Sequence, residues 1–130
     1  MARVLLDTTV LVDLLRGRPA VERVRALRAN GDTPWICAVN VEEVARGMRA
    51  SEEPAVRRLV TGLRHIALRE EEGWAAGEWR RSYASRGITL AQSDCLIAAA
   101  AFALGGRLAT GNPSHFPMSE LTVEHWPVGA

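Results

Sequence analysis

VLLDTTVLVDLLRG, residues 4–17, reads as a strand that runs directly into a helix, with an acid at the joint. Val4, Leu5 and Leu6 make a short continuous apolar run, the pattern of a parallel strand covered on both faces. Asp7 closes that run. Beyond it Val10, Leu11, Leu14 and Leu15 recur at helical spacing. Thr8 or Thr9 supplies a hydroxyl for the helix start, and Gly17 with Pro19 ends it. A buried strand followed at once by an amphipathic helix is how an α/β domain opens.

The alternation continues outward from there. Over 20–29, Val21, Val24 and Leu27 share one helical face, and Asn30-Gly31 stops the helix. A second strand is expected over 35–39, followed by a helix capped by Asn40 and running through Glu43, Val44 and Met48. Pro54 belongs in the first turn of a helix carrying Val56, Leu59, Val60 and Leu63. A short strand over 66–68 leads to a helix over 70–86, opened by acids and closed by Arg86-Gly87 as the helix dipole favours. The segment 96–104 is the most apolar helix, its alanines small enough to let it lie close to a sheet, and Gly105-Gly106 ends it. Strands over 108–110 and 121–123 come last, and Pro113, Pro117 and Pro127 break the tail into loops. With no repeat or linker, residues 1–130 are expected to form a single α/β domain.

At 130 residues and 48% hydrophobic, the chain has enough apolar material for one core and too little for two. No apolar run is long enough to span a bilayer. The opening MARVLLDTT lacks the basic and apolar regions of a secretory signal, so a cytoplasmic location is expected, with no membrane partner. Cys37 and Cys95 lie in apolar surroundings outside any CxxC pair and are expected to be buried free thiols. Together with His65 and His115 they do not show zinc-ligand spacing. The formal charge of +1 neither demands nor forbids a nucleic acid. All 16 basic residues are arginine. Arginine suits bidentate phosphate binding, although an Arg- and Ala-rich composition explains the bias equally well.

Three acids stand where apolar segments meet helix starts: Asp7, Glu43 in NVEEVARG, and Asp94 in QSDCLIAAAAFALGG. Singly, each fits a structural role. Asp7 suits a cap or turn, Glu43 the acidic half of a capping box with Asn40, and Asp94 the first turn of a helix. Asp13, Asp32, Glu42, Glu52 and Glu53 fit solvated faces. Jointly the three acids suggest more, because ligand sites of open α/β sheets form beyond the carboxyl ends of the strands. Three carboxylates crowded there would repel one another and raise their pKa values. A hard cation such as Mg²⁺, held by one or two carboxylates with waters and phosphate, relieves that repulsion.

These segments resemble a known family. VLLDTTVLVDLLRG is similar to the opening strand and helix of PIN-domain ribonucleases, VEEVARG to their second acidic motif, and SDCLIAAAAFALGGRLATGNPSHFP to their third acid, buried helix and closing T-x-N loop. The likeness runs from Val4 to about Pro117. Within that family, the LLRG and ATGNPSHF segments look most like VapC, the toxin of bacterial toxin–antitoxin pairs. The resemblance implies a PIN-like three-layer sandwich, with a central, mainly parallel sheet flanked by helices. It also implies a Mg²⁺-dependent endoribonuclease (Mn²⁺ as the other candidate ion) that is restrained by a cognate VapB-like antitoxin and forms a homodimer. Carried over by position, Asp7 and Asp94 are the metal ligands and Glu43 completes the catalytic trio. Thr8 fixes the surroundings of the first carboxylate, and Asn112 braces the site from the last loop. Many relatives carry a fourth acid where this chain has His115, which favours a single ion and leaves the imidazole to the phosphate, the leaving group or the loop.

The implied reaction is in-line attack of water on an RNA phosphodiester, with Glu43 orienting or deprotonating the water. Arg16, Arg18, Arg46 and Arg49 follow the first two motifs and are candidates for phosphate contacts. Trp74, Trp79 and Tyr83 recur at helical spacing and, if exposed, offer a dimer or antitoxin surface. Two other readings compete. One is a catalytically weak PIN-like RNA-binding or adaptor module, favoured by His115 in place of an acid. The other is an aspartate-nucleophile phosphatase, disfavoured by the absence of lysine.

Overall fold

A computed structural model of the chain describes residues 1–129. Among them five strands form one sheet: β1 (Arg3–Leu6), β2 (Thr33–Cys37), β3 (Arg64–Ile66), β4 (Arg107–Thr110) and β5 (Thr122–His125), in the order β3-β2-β1-β4-β5. Every pairing is parallel, so the sheet is wholly rather than mainly so. The helices are α1 (Thr8–Leu15), α2 (Ala20–Ala29), α3 (Ala38–Gly47), α4 (Glu53–Thr61), α5 (Glu70–Ala84) and α6 (Gln92–Leu104).

Side chains alternate across a strand, and here both sides are covered. Leu5 points into a cluster built with Ala76 and Trp79 of α5 and with Ile97, Ala98 and Leu104 of α6. Its neighbours Val4 and Leu6 point the other way, toward Val10, Leu11, Val24, Leu27 and Val56. Leu108 and Ala109 of β4 divide in the same manner. This two-sided burial is the three-layer sandwich, and it explains why β1 reads as an unbroken apolar run. In α6 the residues Ala98–Ala101 are buried together, so small side chains bring this helix close to the sheet.

Several boundaries differ from the sequence reading because pairing register overrides local propensity. β2 starts and ends two residues early, with Pro34 near its start. Asn40 is therefore the third residue of α3 rather than its cap. β3 pairs Arg64 with Trp35 and ends at Ile66. α5 stops at Ala84, and the chain turns through Gly87 at φ 79°. Trp74 does not share a face with Trp79 and Tyr83, since five residues at about 100° each rotate it well away. Trp79 is buried and donates to Glu120 (3.0 Å), Tyr83 donates to the Pro117 carbonyl (2.9 Å), and Trp74 stays exposed. Asp13 is not on a solvated face. It is 2% exposed and accepts the backbone N–H groups of Ala20 (2.8 Å) and Gly129 (2.9 Å), which ties the start of α2 and the C-terminal tail to α1. Asp32 is half-buried and accepts from the Ala2 N–H and from Arg107. No helix among the described residues is long and apolar enough to cross a membrane.

From β1 the chain builds outward to β2 and β3, then returns to add β4 and β5 on the other side. The carboxyl ends of β1 and β4 thus flank a topological switch point, where such sheets form their crevice.

Candidate active site

Asp7 is the first residue past β1, and its N–H donates to the Ala109 carbonyl at 2.8 Å, extending the β1–β4 pairing to the sheet edge. It occupies the N-cap position of α1, yet its side chain makes no capping bond. Instead the carboxylate, in a residue only 5% exposed, accepts two hydroxyls at Oδ2: Thr110 at 2.7 Å and Thr9 at 3.0 Å. Each hydroxyl oxygen in turn accepts a backbone N–H, Thr110 from Asn112 (2.9 Å) and Thr9 from Gly111 (3.0 Å). With an oxygen lone pair so engaged, each hydroxyl proton is aimed at Asp7. Among the described residues, Oδ1 of Asp7 has no protein donor.

Glu43 stands at the end of a second relay. The Cys37 N–H donates to Asn40 Oδ1 (2.8 Å), which fixes the amide so that Nδ2 donates to Thr8 Oγ1 (3.1 Å). Thr8 then donates its proton to Glu43 Oε1 at 2.6 Å. The capping-box pairing of Asn40 with Glu43 therefore does not form. Asn40 reaches back to Cys37 as the third helical residue, and Glu43 is left to face Thr8. Thr8, expected to serve the first carboxylate, serves Glu43, and Thr9 and Thr110 serve Asp7.

Asp94 is the third residue of α6, with His115 Nδ1 at 3.4 Å from its Oδ2. Burial raises its carboxyl pKa, His115 opposes that rise, and Asp7 and Glu43 add to it. The last two influences mark the three acids as electrostatic neighbours. They line one cleft of about 480 Å³ together with Thr8, Asn112 and His115. All six residues singled out from the sequence are thus brought together. Asn112 is exposed and is anchored through its backbone to Thr110. Arg16 and Arg18 line the same cleft. Arg46 is instead paired with Glu42 at 3.0 Å, and Arg49 lies outside the cleft lining.

As placed, no three His, Cys, Asp or Glu side chains among the described residues close to metal-ligating distance. Glu43 is turned to Thr8 and Asp94 toward His115. The donor set nonetheless fits a hard cation. Its atoms are carboxylate oxygens, Asp7 is nearly buried with no basic partner, and two carboxylates with waters suffice for Mg²⁺. Burial raises the pKa of both cysteines, Cys95 to about 11, and neither thiol lines the cleft.

Sequence reasoning missed Asn40, Thr9, Thr110 and Asp13 as contributors. Thr9 and Thr110 were visible as hydroxyls beside named motif residues. Asn40 and Asp13 carried no comparable signal, since their decisive partners lie far along the chain.

An α/β sheet with this acidic crevice is the architecture of the PIN domain, and the model of the PIN domain family matches residues 4–117. Ribonuclease VapC19 of Mycobacterium tuberculosis is 34% identical over 115 residues, covering 88% of this chain and 92% of the relative. Ribonuclease VapC10 of the same species is 36% identical over 118 residues, covering 90% and 88%. The chain belongs to the PIN-domain family, as a VapC-type member. Solved structures share the fold. In the Rickettsia felis VapBC2 complex bound to a promoter DNA fragment, the matching chain has a TM-score of 0.81 at 22% identity, covering 95% of this chain and 98% of that one. For DNA-bound VapBC from Salmonella typhimurium the TM-score is 0.80 at 21% identity, with 97% and 99% covered.

Proposed function

We propose that the chain is a divalent-metal-dependent endoribonuclease, with Mg²⁺ or Mn²⁺ held by Asp7 and Asp94. The observation that carries this reading is the meeting of three carboxylates from separate elements in one cleft, where Asp94 feels both Asp7 and Glu43. A divalent cation bound there would activate water and offset phosphate charge. The chain's own groups do the rest. Glu43, held by Thr8, takes a proton from the attacking water at its carboxylate. Thr9 and Thr110 fix Asp7 in one orientation. His115, beside Asp94 in the same cleft, is our candidate to give the departing 3′ oxygen its proton. Water adds to phosphorus as the P–O3′ bond breaks, leaving a 5′-phosphate and a 3′-hydroxyl. Arg16 and Arg18 line the cleft and contact neighbouring phosphates of the strand.

The biological reading is the toxin of a type II toxin–antitoxin pair, acting in the cytoplasm as a homodimer and restrained by a VapB-like antitoxin. Its support is the kinship with VapC ribonucleases. The test is cleavage of total cellular RNA by antitoxin-free protein with Mg²⁺, with EDTA, and with Asp94→Asn. Cleavage confined to wild type with Mg²⁺ is expected. Equal cleavage by wild type and Asp94→Asn would sink the nuclease mechanism, and no cleavage under any condition would favour an RNA-binding or adaptor module.

A further inference from the structure

The tail beyond β5 is fastened at every step. The Trp126 N–H donates to the Thr110 carbonyl at 2.8 Å, completing the β4–β5 pairing, and the indole is buried. Arg23 Nη1 of α2 donates to the Pro127 carbonyl at 2.6 Å. Val128 packs so closely on Gly111 that a Cβ there would lie 3.0 Å from both of its γ-carbons. Gly129 takes φ 105°, a conformation that a side chain would strain, and turns its N–H back to Asp13 Oδ1 at 2.9 Å. A segment past the last strand frays unless it is tied down. Here all four residues are tied, yet Val128 remains 43% exposed, on the lining of the acidic cleft.

Asp13 is the hub of this arrangement. Its buried carboxylate accepts Gly129 at Oδ1 and the Ala20 N–H at Oδ2 (2.8 Å), and its carbonyl accepts the N–H groups of Arg16 (3.2 Å) and Arg18 (3.1 Å). One residue therefore sets both the tail and the two arginines of the cleft. Along α1, Thr8, Val12 and Arg16 follow at four-residue steps on one face, spanning about 12 Å. Val128 is held at the level of Val12, because Gly111, on which it packs, is bonded to Thr9, and its neighbour Gly129 to Asp13. Val12 and Val128 thus line the cleft with apolar side chains between the acids and the arginines. An RNA strand with its scissile phosphate at the acids and a neighbouring phosphate at Arg16 or Arg18 lays the intervening nucleoside across this pair. Neither side chain offers a donor or an acceptor, so the pair reads the bulk of a base and not its hydrogen-bonding edge.

We propose that the C-terminal tail is the cleft wall that selects purine against pyrimidine beside the scissile bond, with Val128 as the contact and Asp13 as its positioning residue. This rests on the endoribonuclease reading above. The test is cleavage of total cellular RNA by the full chain with Mg²⁺, with the new 5′-phosphate ends sequenced. Wild type is expected to favour one base class about tenfold at one position flanking the cut, the low end of what an apolar fit discriminates. Val128→Ala should reduce that preference to about threefold or less, and on a short RNA carrying a mapped site the change should fall mainly on KM. Asp13→Asn exchanges one accepting oxygen for an NH₂ group that cannot accept, so the tail loosens and the same position should relax. Arg23→Ala frees the tail from outside the cleft lining and should relax it too, which carries the test if Asp13→Asn does not fold. Wild type without cleavage overturns the nuclease reading and this inference with it. Cleavage with no base preference, or with one that Val128→Ala leaves intact, overturns the wall alone. Relaxation by Val128→Ala, with neither Asp13→Asn nor Arg23→Ala doing more than lower the melting temperature, overturns the positioning role.

Discussion

Replacing Asn40 separates stability from catalysis in a way that tests how Glu43 is aimed. Asn40 is wholly buried, with one bond to the Cys37 N–H and one to Thr8. In Asn40→Ala the Cys37 N–H loses its acceptor in a site without solvent, a cost of about 1–3 kcal/mol. The lost bond to Thr8 adds about 1 kcal/mol. The sum, about 2–4 kcal/mol, is well below the ~7–20 kcal/mol expected for a domain of this size, so the variant remains folded. With an unfolding entropy of about 2.1 cal/mol/K per residue, the melting temperature should fall by roughly 7–15 °C. Thr8, no longer held by the amide, stops fixing Glu43. Single-turnover cleavage at saturating RNA should then slow by about tenfold to a hundredfold, a large part of what a general base contributes. Thr8→Val should slow it similarly while costing far less stability, and the double variant should be no slower than the worse single one, because both break one relay. A destabilised Asn40→Ala that keeps the wild-type rate and pH profile would refute the relay and leave Asn40 purely structural.

Three further outcomes are expected. Burial, Asp7 and Glu43 together raise the Asp94 carboxyl pKa, so ionising it opposes folding: that cost is absent below the unfolded pKa and grows as pH rises through the folded one. In EDTA at neutral pH, Asp94→Asn should therefore melt no lower than wild type, and with Mg²⁺ the order should reverse; a lower melt in EDTA would contradict the repulsion. A Cβ at Gly111 would lie 3.0 Å from both γ-carbons of Val128 and 3.3 Å from Thr9 Oγ1, so Gly111→Ala should disturb Asp7 and slow cleavage, with Val128→Ala recovering most of the rate; no recovery would place the fault at Thr9 alone. Arg16→Ala and Arg18→Ala should raise KM for RNA and reduce its salt dependence with kcat little changed, whereas Arg46→Ala, already paired with Glu42, should do neither.

What could be read from the chain follows a physical divide. β1 was legible because burial on both faces leaves an unbroken apolar run, α6 because its packed side is a run of small apolar residues, and Asp7 because it stands where the β1 run ends. β2 was misplaced by two residues because its ends are fixed by register with β1, not by its own composition. That small shift hid Asn40, whose partner Thr8 lies 32 residues away. Asp13 was hidden more thoroughly. Its position on α1 looks polar and ordinary, and only the fold brings Gly129, 116 residues distant, against it. Trp74 and Trp79 look equivalent in a list of aromatics, and only the helical rotation sends one inward and the other out.

In the proposed function, Asp7 and Asp94 hold a divalent ion in the cleft they share with Glu43. Calorimetric titration of Mn²⁺ into the metal-free protein tests it most directly, with Asp7→Asn, Asp94→Asn and the surface control Glu42→Gln beside wild type. One ion per chain is expected for wild type and Glu42→Gln, and none for either aspartate variant. Equal binding by all four proteins would contradict the claim.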